Sequence, residues 1–120
     1  MTPKELQNRL KKFALRLVPL CESSPNKRIS RIIEDQLLRS GFSAAVNYRS
    51  ACNAQTKKSF SAKLSIALEE IDETSFWLET IEELELIKPE KLSLLTKEAI
   101  ELTKILGASR KTAIKLTIKN

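Results

Sequence analysis

Seven positions constrain this chain more than any others. Phe60, Leu64, Ala67, Ile71, Thr74, Leu78 and Ile81 recur with a strict alternation of four and three residues. That spacing puts all of them on one stripe of an α-helix, and a strand of period two cannot accommodate it. A seam of this length needs other helices against it. Three further segments offer matching stripes: Leu6, Leu10, Phe13, Leu17 and Leu20; then Ile29, Ile33 and Leu37; then Leu92, Leu95, Ala99, Leu102 and Leu106. Ile66 and Trp77 lie beside the third stripe and widen it. Only 2 glycines and 4 prolines punctuate 120 residues, too few breakers for a strand-rich fold with many turns.

The punctuation predicts helices over about 3–21, 27–52, 57–87 and 89–107. Thr2, Pro3 and Glu5 form a helix start, with Thr2 as cap, Pro3 in the first turn and Glu5 closing a capping box. Pro19 should kink or end this helix, with "ESSPN" as the connector. Thr56 caps the third helix. Pro89 disfavours helix at Lys88, which sets the third helix's end near Ile87. Gly107 ends the fourth helix unless "ASRKTAIKLTIK" continues it; within that tail "AIKLTI" alternatively reads as a strand. Long helices with short connectors become antiparallel neighbours. The expected fold is therefore all-α, an up-down-up-down four-helix bundle in one domain spanning 1–120.

The second helix contains an unusual stretch, "QLLRSGFSAAVNYRSACNA" from Gln36 to Ala54. Gly41 in its interior costs roughly 1 kcal/mol against alanine. Gly41, Ala44, Ala45 and Ala51 together let another helix approach closely, and that approach is the expected compensation. Among them stand the specific polar residues Arg39, Asn47 and Arg49.

Several function classes are disfavoured. The chain has no histidine, so it lacks the commonest general base and metal ligand. Glu69, Glu70, Asp72 and Glu73 invite a carboxylate-metal reading, but di-iron bundles also use histidine. No metal, cofactor or catalytic residue is expected. Pairing of Glu73 or a neighbour with Asn47 or Arg49 across the bundle is the simpler expectation, because buried polar groups need partners. Cys21 and Cys52 are too far apart for a metal knuckle; they read as two small thiols in a reducing cytosol, with a lone disulfide as the alternative. No apolar run of 18 or more residues exists, so no membrane span is expected. The basic N-terminal segment lacks a continuous apolar core and reads as mature sequence rather than a transit peptide.

The net charge is +6, but its distribution is the stronger signal. The first 63 residues hold 13 Lys/Arg and 4 Asp/Glu, whereas residues 64–104 hold 4 and 11. Lys27, Arg28, Arg31, Arg39, Arg49, Lys57, Lys58 and Lys63 are the candidates for contact with phosphate backbones. The alternative is that basic helices simply pair with the acidic third helix, within the chain or between copies. Aromatic residues are 5% of the chain, which disfavours a stacking platform for single-stranded bases.

The stretch "QLLRSGFSAAVNYRSACNAQTKKSFSAKLSIALEEIDETSFWLE" resembles the four-helix-bundle proteins of the 23S rRNA intervening-sequence family. The resemblance rests on Gln36, Leu37, Arg39, Ser40, Ser43, Asn47, Tyr48 and Ala51, then on Phe60, Lys63, Leu64, Ile66, Ala67, Glu70, Glu73, Trp77 and Leu78. Thr56 and Ser59 depart from the usual Ser and acidic residue, and Ala45 replaces a bulkier aliphatic. The resemblance implies a small bacterial protein, a homopentameric ring, and a fold shared with the accessory variability determinant of diversity-generating retroelements, a basic pentamer that binds nucleic acid and a reverse transcriptase. It makes Arg39, Asn47 and Arg49 part of the fold's packing signature, with Arg39 or Arg49 also at a subunit contact. The expectation is a non-enzymatic cytoplasmic adaptor whose partners are copies of itself, RNA or DNA, and a reverse transcriptase. The alternative is a structural interaction module whose charge asymmetry serves self-assembly alone.

Overall fold

The computed structural model describes residues 1–119; Asn120 and the side chains from Thr117 onward lie outside the described part. Four helices run in order: α1 (Pro3–Glu22), α2 (Arg28–Cys52), α3 (Lys57–Glu83) and α4 (Pro89–Lys119). They alternate up and down and pack α1 on α2, α2 on α3, α3 on α4 and α4 on α1. The result is an elongated bundle of 51 × 22 × 21 Å.

Local chemistry sets the ends. Thr2 Oγ1 accepts a hydrogen bond from the Glu5 N–H at 3.1 Å, and Thr56 Oγ1 accepts from the Ser59 N–H at 3.0 Å. Both supply a partner to an otherwise orphaned amide of the first turn. At α1 the Glu5 carboxylate accepts from the Thr2 hydroxyl instead of reaching back to the Thr2 amide. Pro19 does not stop α1, which continues to Glu22 with the proline on its exposed side.

The third helix stops at Glu83, four residues before Ile87. Glu85 adopts φ 54°. The Leu86 N–H bonds the Ile81 carbonyl at 3.1 Å and the Glu85 N–H bonds the Glu82 carbonyl at 3.1 Å. This is a Schellman closure with Glu85 in the left-handed position that glycine usually fills. A residue with a Cβ is strained there by roughly 1 kcal/mol. Glu85→Gly should therefore stabilise the fold by about 1 kcal/mol; an unchanged or lower melting temperature would show that the turn relaxes without help.

The seam forms as spaced. Leu64, Ala67, Ile71, Thr74, Leu78 and Ile81 are buried, and Phe60 is half-buried against the core. Leu10, Phe13, Leu17, Leu37, Leu102 and Leu106 meet them at the centre. Thr74 is satisfied in this apolar setting: its hydroxyl lies 2.9 Å from Ser40 Oγ and 2.8 Å from the Glu70 carbonyl. The Ser40 hydroxyl in turn reaches the Leu37 carbonyl at 3.2 Å. This buried hydroxyl pair sets the register of α2 against α3. Next to it, Gly41 packs on α1, where an added Cβ would fall 2.4 Å from Leu17 Cδ1.

Gly107 does not end α4. The helix runs through it, and "AIKLTI" is helical. Cys21 is buried, Cys52 is half-buried and both are free thiols. Desolvation pushes the Cys21 thiol up to about 11.

Candidate nucleic-acid and assembly surfaces

The eight basic candidates do not form one patch. Lys27, Arg28 and Arg31 lie at the start of α2, close in space to the acidic end of α3. Arg31 there hydrogen-bonds Asn26 Oδ1 at 2.9 Å. Arg49, Lys57, Lys58 and Lys63 lie at the opposite end, around the α2–α3 turn. Arg39 sits between these groups, and its donors are engaged. Its Nη1 meets Glu70 Oε2 at 2.8 Å, Nη2 meets Glu73 Oε2, and Nε meets Gln36 Oε1 at 3.0 Å.

The partner of Glu73 thus differs from expectation. It is Arg39, not Asn47 or Arg49, and Trp77 Nε1 donates to the same carboxylate at 2.9 Å. The register explains this. Ser40 lies level with Thr74, so Asn47 faces the region of Ala67, six residues from Glu73 and about 9 Å away along the axis. Asn47 bonds its own helix instead, at the Ser43 carbonyl and hydroxyl. Arg49 lines a groove on the other side of α2.

The indole N–H of Trp77 and then Arg39 hold the Glu73 carboxyl below its usual value. On the α1–α4 edge, Arg9 does the same to Glu98 through a two-pronged contact at 2.8 and 2.7 Å. Both folded values are depressed, so the stability they contribute is fully present above the ordinary carboxylate value of 4.5 and is lost as pH falls through the lower folded values. Melting temperature should be insensitive to these groups near neutrality and fall below about pH 4.5. Glu73→Gln and Glu98→Gln should each flatten that acid limb; a limb as steep as in the unmodified chain would assign the acid loss to other carboxylates.

Two surfaces have opposite character. A groove of ≈ 330 Å³ between α1 and α2 is lined by Lys4, Gln7, Asn8 and Lys11 of α1 and by Phe42, Ala45, Val46 and Arg49 of α2. The outward face of α3 carries Glu69, Asp72, Glu79 and Glu83 together with two exposed apolar residues, Ile66 at 43% and Phe76 at 56%. Phe76 stands edge-on to Trp77, with ring centroids 5.0 Å apart. Among the described residues no cluster of metal-ligating side chains occurs, and no helix is long and apolar enough to cross a membrane. The arrangement suits ion pairing and anion binding.

The sequence reading left out part of the basic surface. Arg110, Lys111 and Lys115 on α4 belong to the same end as Lys57 and Lys58, because α4 ends where α3 begins. Only the up-down connectivity places them together.

A family model described as 23S rRNA-intervening sequence protein matches residues 5–108. No curated protein matches the chain significantly. Solved structures that match include a crystal structure at 1.70 Å resolution of a protein with unknown function from the S23 ribosomal protein family of Bacteroides thetaiotaomicron VPI-5482. It is 33% identical, with a TM-score of 0.83 over 92% of this chain and 99% of that one. A match across nearly all of α1–α4, together with a shared fold over almost the whole of a solved relative, leads to one conclusion: the chain belongs to the 23S rRNA-intervening sequence protein family.

Proposed function

We propose that this protein is a non-enzymatic oligomeric adaptor that binds nucleic acid. One observation carries the reading: a single protomer presents a groove lined by basic and apolar side chains and, separately, an acidic face with exposed Ile66 and Phe76. Two unlike complementary surfaces make a heterologous contact, which closes into a ring when the rotation permits. Pairing groove with face consumes the acidic surface. The excess of +6 per chain then remains for a polyanion.

A mobility-shift titration with RNA and DNA over a salt series tests this. Binding should weaken steeply as salt rises, through counterion release. Absence of binding even at low salt would favour the other reading, a structural module whose charges serve its own assembly. The narrowest form of the proposal is an accessory role beside a reverse transcriptase. An adjacent reverse-transcriptase gene would support that form, and a ribosomal RNA gene around the coding sequence would argue against it.

A further inference from the structure

The bundle is electrically polarised along its long axis. The up-down path brings the start of α1, the end of α2, the start of α3 and the end of α4 to one end. Residues 1–8, 45–65 and 108–116, which build that end, contain Lys4, Arg49, Lys57, Lys58, Lys63, Arg110, Lys111 and Lys115; Glu5 is the only acidic side chain in these segments. The opposite end mixes signs: it gathers Lys27, Arg28, Arg31, Lys88 and Lys91 with Glu22, Glu79, Glu82, Glu83, Glu85 and Glu90.

The basic end is completed by a part of the chain beyond the family match. That match stops at residue 108, while α4 continues to Lys119, about 16 Å of further helix. The extension is packed onto the bundle. Arg110 Nε donates to Ser65 Oγ on α3 at 2.8 Å, and Ala113 is only 7% exposed. Lys104, Lys111 and Lys115 share one exposed stripe of α4, at spacings of seven and four residues. Lys57 borders a cleft of ≈ 320 Å³ between the α2–α3 turn and the extension, whose extension side is Ala113 and Leu116; Lys58 stands exposed near it, and the lysine stripe runs along the outward side of α4.

We propose that this end of the bundle, through the exposed lysines at the start of α3 and the outward lysine stripe of the α4 extension, is where a nucleic-acid phosphate backbone docks. The inference rests on the nucleic-acid reading above and gives it a location. A polyanion suits this surface better than the acidic α3 face of a second copy. That face brings Ile66 and Phe76, which need an apolar counterpart, and the α1–α2 groove supplies one in Phe42 and Val46. Lys57, Lys58, Lys111 and Lys115 are exposed charges, as solvated phosphates require, and they flank the apolar cleft of Phe60, Ala113 and Leu116. Lysines here act as point charges, so affinity without base specificity is expected.

The test compares two variants on 20-base-pair duplex RNA and duplex DNA, by fluorescence anisotropy across a salt series. One carries Lys57→Gln, Lys58→Gln, Lys111→Gln and Lys115→Gln. The other carries Lys27→Gln, Arg28→Gln and Arg31→Gln at the mixed end. All seven positions are exposed, and glutamine has nearly the helix propensity of lysine and arginine. The first variant should lose at least tenfold in affinity, and its dependence of log K on log salt should flatten by about 3.6, near 0.9 for each of the four lost phosphate contacts. The second should bind within about threefold of the unmodified chain. If the second loses as much as the first, or the first binds normally, the docking site is elsewhere while the nucleic-acid reading stands. If the first variant changes the mass of the assembly instead, this end is a subunit contact and the proposal fails. If the unmodified chain binds neither duplex at low salt, the nucleic-acid reading fails and this site with it.

Discussion

Light scattering at physiological salt should report a mass near five times 13.6 kDa, with five protomers taken from the family resemblance and closure into a ring from the two unlike faces. A two-fold dimer through the outward face of α3 would set Glu69, Asp72 and Glu83 of one copy against the same residues of the other. Like charges so placed repel, whereas the groove of Lys4, Lys11 and Arg49 offers the opposite sign. Phe76 is the natural apolar anchor, being 56% exposed on an acidic helix face and braced edge-on against Trp77. Phe76→Glu should therefore lower the mass to that of one protomer. The melting curve of the released protomer should remain cooperative, since the side chain lies outside the core. High salt should weaken the assembly only in part, because the apolar contact does not depend on screening. A wild-type mass of one or two protomers across protein concentrations would refute the ring. An unchanged mass for Phe76→Glu would move the contact away from α3.

The elements that were legible in the sequence are those written in local periodicity. The four-three spacing from Phe60 to Ile81 placed the seam, and Thr2 and Thr56 marked two helix starts by residues that can reach the first-turn amides. The end of α3 was hidden because its Schellman turn uses Glu85, whereas the recognisable signal is glycine. The partner of Glu73 was hidden for a different reason. Which of Arg39, Asn47 and Arg49 it meets depends on the register of α2 on α3, and that register is fixed by a contact between Ser40 and Thr74, 34 residues apart. The charge pattern shows the same limit. Along the chain it reads as a basic first half and an acidic third helix. In space the antiparallel fold sorts it again, into a basic end, a mixed end and an acidic face.

Gly41→Leu should lower the melting temperature by roughly 5–10 °C. The chain already forgoes about 1 kcal/mol by placing glycine inside a helix, so any side chain at 41 begins with that advantage. The space is the obstacle. A Cβ alone would fall 2.4 Å from Leu17 Cδ1, and Thr74 Cγ2 stands 4.0 Å away on the other side. Leu17 and Thr74 are both fully buried, so neither can swing into solvent, and the remaining carbons of a leucine have nowhere to go without parting α1 from α2. Leu17 Cδ1 is the end of a side chain and can turn away from a Cβ alone, but the three further carbons of a leucine need the same closed space; overpacking of this kind costs about 1–3 kcal/mol, which outweighs the propensity gain. Gly107 supplies the control. It too lies inside a helix, but nothing stands within 4 Å of its would-be Cβ, so Gly107→Ala should raise stability by about 1 kcal/mol. The two glycines should thus respond with opposite signs. Leu17→Ala alone should cost about 2–5 kcal/mol through the cavity it leaves. Combined with Gly41→Leu it should cost less than the sum, because one side chain fills the space vacated by the other. Strict additivity of the pair, or a melting temperature for Gly41→Leu at or above wild type, would show that α1 and α2 are not held at this separation by the glycine.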